Sequence, residues 1–275
     1  MARHGRRAAR AMTAAAAVMV TLACGSTDGP RPSSVAMPAS GTATVEVGGR
    51  QVTVHVPDLY DPARPAPLVV ALHGYTSDAK ELETYFRLTP ESDRRGFIYT
   101  YPDGTTDDRG ERFWNATDAC CAFSGSAPDD SRYLSELIAT IQGSYRIDRA
   151  RVYLIGHSNG GFMAFRMACD HADQVTAIVS LNGATWNDTA QCRPSEPVGV
   201  LAVHSSDDET VAFGGGLLGR RVHPSAATTI DQWLGYNRCA GTGRDAPELD
   251  LVADLPAAET SVRTDFLLSQ VQPAR

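Results

Sequence analysis

A chain of 275 residues with 43% hydrophobic and 21% charged content has the make-up of one globular α/β domain and can bury a full core. Its 25 basic and 32 acidic residues leave a formal charge of −7. A surface of that sign is expected to repel nucleic acid and anionic lipid headgroups.

The first 24 residues differ from the rest. Arg3, Arg6, Arg7 and Arg10 precede an apolar run over 11–23, too short for a membrane span and built like a secretion signal. The run ends in Thr21-Leu22-Ala23-Cys24. A cysteine directly after a small residue at that point resembles a bacterial lipobox, so Cys24 is expected to become a lipid-bearing first residue. Plain secretion with an incidental Cys24 is the alternative. Losing this segment removes four arginines and no acid, which takes the formal charge from −7 to −11. Residues 25–42 read as a linker and 43–275 as a single domain. The protein is expected to be exported, monomeric, and in contact with a membrane only through the anchor. Beyond Cys24, the cysteines are Cys120, Cys121, Cys169, Cys192 and Cys239. Five is odd, so one thiol lacks a partner within the chain; if that is Cys239, the other four allow three connectivities.

Along the domain, 43–47 and 51–56 alternate in polarity around Gly48-Gly49, the pattern of a β-hairpin at the antiparallel edge of a sheet. Residues 67–73, PLVVALH, form a continuous apolar run suited to a strand buried on both faces. The segment 78–87 reads as a helix and 96–101 as the next strand, closed by the turn Pro102-Asp103-Gly104. A long irregular stretch, 105–128, carries Trp114, Cys120 and Cys121; loops of that length are usually functional or cross-linked. Trp114 fits either a cleft wall or the core. Residues 129–145 have helical spacing.

In RVYLIGHSNGGFMAFRMACD, 151–170, an apolar β-rich run passes into helical spacing at Gly156-His157-Ser158-Asn159-Gly160-Gly161. G-x-S-x-G at a strand-to-helix corner lets the chain bend sharply enough to hold a strained serine above the sheet edge. Ser158 is the expected nucleophile, and the Asn159 amide, at the helix N-terminus, an oxyanion donor. The bland alternative is a serine that merely caps the helix. Beside this corner, His73-Gly74-Tyr75 supplies the second expected oxyanion donor, the Tyr75 N–H. Strands over 177–181 and 198–204 follow, the second leading into Ser205-Ser206-Asp207-Asp208. An acid after a late strand suits the chain order Ser, Asp, His, and on position alone Asp207 and Asp208 both qualify. Gly214-Gly215-Gly216 then turns toward a helix over 225–236.

Together, ALHGYTSDA, YPDG, the loop from Trp114 to Cys121, GHSNGGFMA and HSSDDETVAFGG resemble the secreted polyhydroxybutyrate depolymerase and feruloyl esterase family of α/β-hydrolases, from about Ala43 to Thr264. The resemblance implies a mostly parallel sheet and an esterase that works through an acyl-enzyme, without metal or cofactor. The family pattern H-G-T-x-D falls on His204 to Asp208 and selects Asp208 as the acid. Ser205 departs from the usual glycine. In the family the catalytic histidine lies in a Gly-His loop after the region resembling Glu259 to Asp265, near a cysteine that pairs with the one matching Cys239. This sequence reads VRTDFLLSQVQPAR there, so its C-terminal strand and helix are expected to be truncated or replaced, as by a frameshift. His223 is a weak candidate for the base, ahead of the last helix rather than after a further strand. Two other readings stand beside the esterase: a catalytically impaired surface lipoprotein of the same fold and, last, a serine peptidase.

Overall fold

The computed structural model describes residues 39–239 and 266–270. The signal-like segment with Cys24, most of the linker, and the stretch 240–265 where the family places its last strand lie outside the described residues. Seven strands make the main sheet: β1 (Gly41–Val47), β2 (Arg50–Val56), β3 (Ala66–Leu72), β4 (Ile98–Thr100), β7 (Ile147–His157), β8 (Ala177–Leu181) and β9 (Gly199–Val203). Two ribbons accompany it, β5 (Thr105–Thr106) with β6 (Arg112–Phe113) and β10 (Gly216–Leu218) with β11 (Arg221–His223). The order in the main sheet is β1-β2-β4-β3-β7-β8-β9. From β4 to β9 all neighbours are parallel, and β1 and β2 run antiparallel at one edge, as the alternating hairpin pattern predicts.

β3 is buried along its whole length because both of its faces are covered. Leu68, Val70 and Leu72 join Val152 and Leu154 of β7 under α3 (Asp130–Ser144), α4 (Asn159–Asp170) and α5 (Ala226–Tyr236). Val69 and Ala71 face the other way with Tyr153 and Ile155, against Leu82 and Phe86 of α1 (Ala79–Phe86) and Leu88 of α2 (Leu88–Arg95). One helical turn at 266–269 adds Leu267 to that second face. The ends of these helices follow ordinary capping: the side chains of Asp78, Asp129 and Ser225 accept backbone N–H bonds at the starts of α1, α3 and α5.

α2 and the β10–β11 ribbon have no counterpart in the sequence reading. α2 carries Pro90 in its first turn, where an absent N–H breaks no helical bond, and closes on Gly96 at φ 74°. Cys169 near the end of α4 is bonded to Cys192, 23 residues on, and Cys120 to its neighbour Cys121, which among the described cysteines leaves Cys239 free and exposed. By loop-closure entropy, replacing both Cys169 and Cys192 with serine should cost about 3 kcal/mol, read as a lower urea midpoint.

Candidate functional site

The carboxyl ends of the parallel strands lie level, with Leu72 beside Gly156, His157 beside Leu181, and Leu181 beside Val203. This is the edge at which open α/β sheets gather their sites. Ser158 stands there at φ 51° and ψ −117°, a strained conformation for a residue with a Cβ. Its N–H donates to the Leu181 carbonyl at 2.7 Å and its carbonyl accepts the Phe162 N–H at 3.0 Å, which fixes the corner without the side chain. The Ser158 hydroxyl makes no helix-capping bond, and the residue is half-buried rather than enclosed. The flanking glycines are required by contact: a Cβ on Gly156 would lie 2.1 Å from the Gly160 carbonyl oxygen, and one on Gly160 would lie 2.1 Å from that of Leu72.

The loop after β3 lies flush against this corner, since a Cβ on Gly74 would meet the Ser158 Cβ at 3.6 Å. His73, fully buried, holds the loop in shape. The Gly104 N–H donates to Nε2 at 2.9 Å, so the proton sits on Nδ1, which donates to the Gly74 carbonyl at 2.7 Å. The Thr76 N–H donates to the Arg112 carbonyl at 2.8 Å. Both ring nitrogens of His73 are thus committed to positioning. Burial pushes its pKa below the ordinary 6.5, against the opposing pull of the Gly74 bond and Asp103. An imidazole depressed on folding gives stability that is full above its unfolded value and lost as the pH falls toward the folded one. We therefore expect the unfolding midpoint to drop below about pH 6.5. His73→Asn should lower the midpoint at neutral pH and make that acid-side fall shallower.

Asp208 and Asp207 are held differently. Asp208 is half-buried, and its Oδ1 accepts the Thr210 and Val211 N–H groups, each at 2.8 Å, leaving Oδ2 for a further donor. Asp207 is exposed, its Oδ1 accepting from the Ser206 hydroxyl at 3.2 Å. This loop reaches the serine corner through Asn182, whose Oδ1 accepts the Ser205 N–H at 2.8 Å, one residue past the carbonyl that anchors Ser158. His223 is buried with its ring in a T-shaped contact with Phe162, centroids 6.2 Å apart, one turn beyond Ser158. Its Nδ1 must donate to the Pro224 carbonyl, at 3.0 Å, so that nitrogen does not engage Asp208. His157 packs its ring 5.4 Å from that of Tyr85 on α1.

Trp114 is core rather than cleft wall, fully buried with its ring centroid 5.1 Å from that of His73. Sequence reasoning assigned Asn159 only a backbone role; its side chain is equally engaged. Oδ1 accepts the Trp114 N–H at 2.7 Å, and Nδ2 donates to the Trp114 carbonyl at 2.9 Å and to the Cys120 sulfur at 3.4 Å. Among the described residues no group of His, Cys, Asp or Glu side chains is gathered that could hold a metal ion, and no helix is long and apolar enough to cross a membrane.

Residues 58–224 match the family described as esterase PHB depolymerase. The protein NocK of Nocardia uniformis subsp. tsuyamanensis is 30% identical over 149 residues, 54% of this chain and 42% of its own. Feruloyl esterase B of Piromyces equi is 25% identical over 200 residues, 70% of this chain and 36% of its own. The chain thus spans less than half the length of these two curated relatives. Among solved structures, an S-formylglutathione hydrolase from Agrobacterium tumefaciens is similar with a TM-score of 0.56 at 15% identity, covering 84% of this chain and 94% of that one. At that identity the likeness is one of fold.

Proposed function

Since the chain belongs to the esterase PHB depolymerase family and has an α/β-hydrolase sheet, we propose that it is an exported serine esterase acting on acyl esters, with polyhydroxyalkanoate and feruloyl esters as the leading classes. The observation that carries this is Ser158, strained at φ 51° on a glycine-packed corner, half-buried, with a hydroxyl uncommitted to the helix cap. In the proposed reaction the Ser158 oxygen attacks the ester carbonyl while the Asn159 and Tyr75 N–H groups meet the developing oxyanion. Asn159 opens α4, where the first amides have no partner within the helix. The ester C–O bond breaks and the alcohol leaves with the proton given up by the serine; water then attacks the acyl carbon, releases the acid and returns a proton to Ser158.

Asp208 rather than Asp207 is the proposed acid, because two backbone N–H bonds hold one of its oxygens and leave the other for an imidazole. The relay also needs a histidine between Asp208 and Ser158. The family's Gly-His loop would follow the region 259–265, and no histidine follows His223 in this sequence. Export is supported by two disulfides, which persist in oxidising compartments, and Cys24 remains the proposed lipid attachment site. A second reading, a protein of this fold that holds the cleft without turnover, is favoured by the Nδ1 bond of His223 to Pro224. A fluorophosphonate probe separates the two. Covalent labelling of Ser158 together with release of a phenol from an aryl acetate supports the esterase; an unlabelled, inert chain supports the second reading.

A further inference from the structure

The two proposed oxyanion donors sit on different segments, one after β3 and one at the start of α4, and Trp114 hydrogen-bonds to both. The Trp114 indole N–H donates to the His73 carbonyl at 3.2 Å, while its own peptide N–H and carbonyl are both taken by the Asn159 side-chain amide. The same Asn159 Nδ2 also donates to the Cys120 sulfur at 3.4 Å. The Cys120–Cys121 bond closes a small covalent ring in the turn where Ala116 and Thr117 donate to the Cys120 carbonyl, and Cys121 returns its N–H to Trp114. All of these groups are buried, Trp114 and Asn159 fully and the two cysteines to within 3%. The chain from 114 to 121 therefore forms a closed circuit through His73 and Asn159. Neither residue reaches the hydroxyl of Ser158 in this circuit; each sets where a neighbouring backbone N–H lies.

We infer that Trp114, the Asn159 side-chain amide and the Cys120–Cys121 disulfide are positioning groups that fix the spacing between the Tyr75 and Asn159 amides. The inference rests on the esterase reading. A group that only holds the fold together would change the amount of folded protein, whereas one that spaces the oxyanion donors changes turnover by the folded protein. A displacement of about 1 Å at such a site costs on the order of a hundredfold in rate.

The test is steady-state hydrolysis of an aryl acetate by the full chain carrying Cys120→Ser with Cys121→Ser. Serine keeps an acceptor for the Asn159 Nδ2–H and removes only the covalent link. The expected result is a fall in kcat of roughly a hundredfold with KM within about twofold of wild type. Cys169→Ser with Cys192→Ser, at the other end of α4, serves as control and should lower the thermal midpoint while kcat of the folded protein stays within about threefold. Should the first pair fail to fold, Trp114→Phe keeps a buried aromatic ring and the disulfide while deleting the indole N–H along with part of the ring volume; its kcat should fall about tenfold at unchanged KM. If a folded variant of either kind keeps wild-type kcat, or both disulfide pairs lower kcat alike, the inference is overturned while the esterase reading stands. A wild-type chain with no turnover and no probe labelling overturns both.

Discussion

Ser158→Ala should remove aryl-ester turnover, by on the order of a million-fold where a complete relay is present, and abolish fluorophosphonate labelling. The substitution deletes one oxygen at a position whose backbone is fixed by bonds from the Ser158 N–H to Leu181 and from the Phe162 N–H to Ser158. Fold and oxyanion donors are thus left in place. Any rate that remains measures what those donors and substrate binding supply alone, about a thousandfold over water in Ser-His-Asp triads. Stopped assays with wild type and variant at matched folded concentration check this. Equal rates in the two proteins would show that the turnover comes from elsewhere on the chain or from a contaminant.

Gly160→Ala should be among the most damaging single methyls at the described glycines. The added Cβ would lie 2.1 Å from the Leu72 carbonyl oxygen and 2.7 Å from that of His73, both backbone atoms at the end of a central strand. Neither can rotate away, so α4 has to lift from β3 or the corner has to open. Either outcome costs more than about 4 kcal/mol, beyond the usual range for point changes. Urea denaturation should find the variant unfolded or with a greatly lowered midpoint. Gly143→Ala is the informative contrast: its Cβ meets nothing within 4 Å near the end of α3, and the change should stabilise the protein by about 0.5–1 kcal/mol through helix propensity. If Gly160→Ala tolerates its methyl as well as Gly143→Ala, the tight packing at the corner is not what holds Ser158 in its strained state.

The corner itself was legible because two periods meet at Gly156 to Gly161, and a switch of period survives whatever surrounds it. The same is true of β8 and α5, where runs of apolar residues and a capping serine suffice. α2 was not legible: LTPESDRR has little apolar content and a proline, and what makes it helical is the burial of Leu88 and Ser92 against the sheet. The β10–β11 ribbon pairs Leu217 with Val222, both exposed, so no inward-facing pattern marked it. At the site, Ser158, Asn159, Tyr75 and Asp208 could be placed on loops at one sheet edge because each follows a strand. The side-chain work of Asn159 could not be read, since its partner Trp114 lies 45 residues away and no local pattern couples them. The adjacent cysteines were the one available signal, and with four cysteines their pairing was only one of three choices.

Sulfur meets α4 at both of its ends. Cys120 bonds Asn159 in the first turn, and Cys169 ties the last turn to Cys192. A preparation made in a thiol-rich cytosol and one made in an oxidising compartment are accordingly different chemical species with one sequence. Kinetic constants measured on a mixture of the two would describe neither, so a count of free thiols belongs beside every activity reported for this protein.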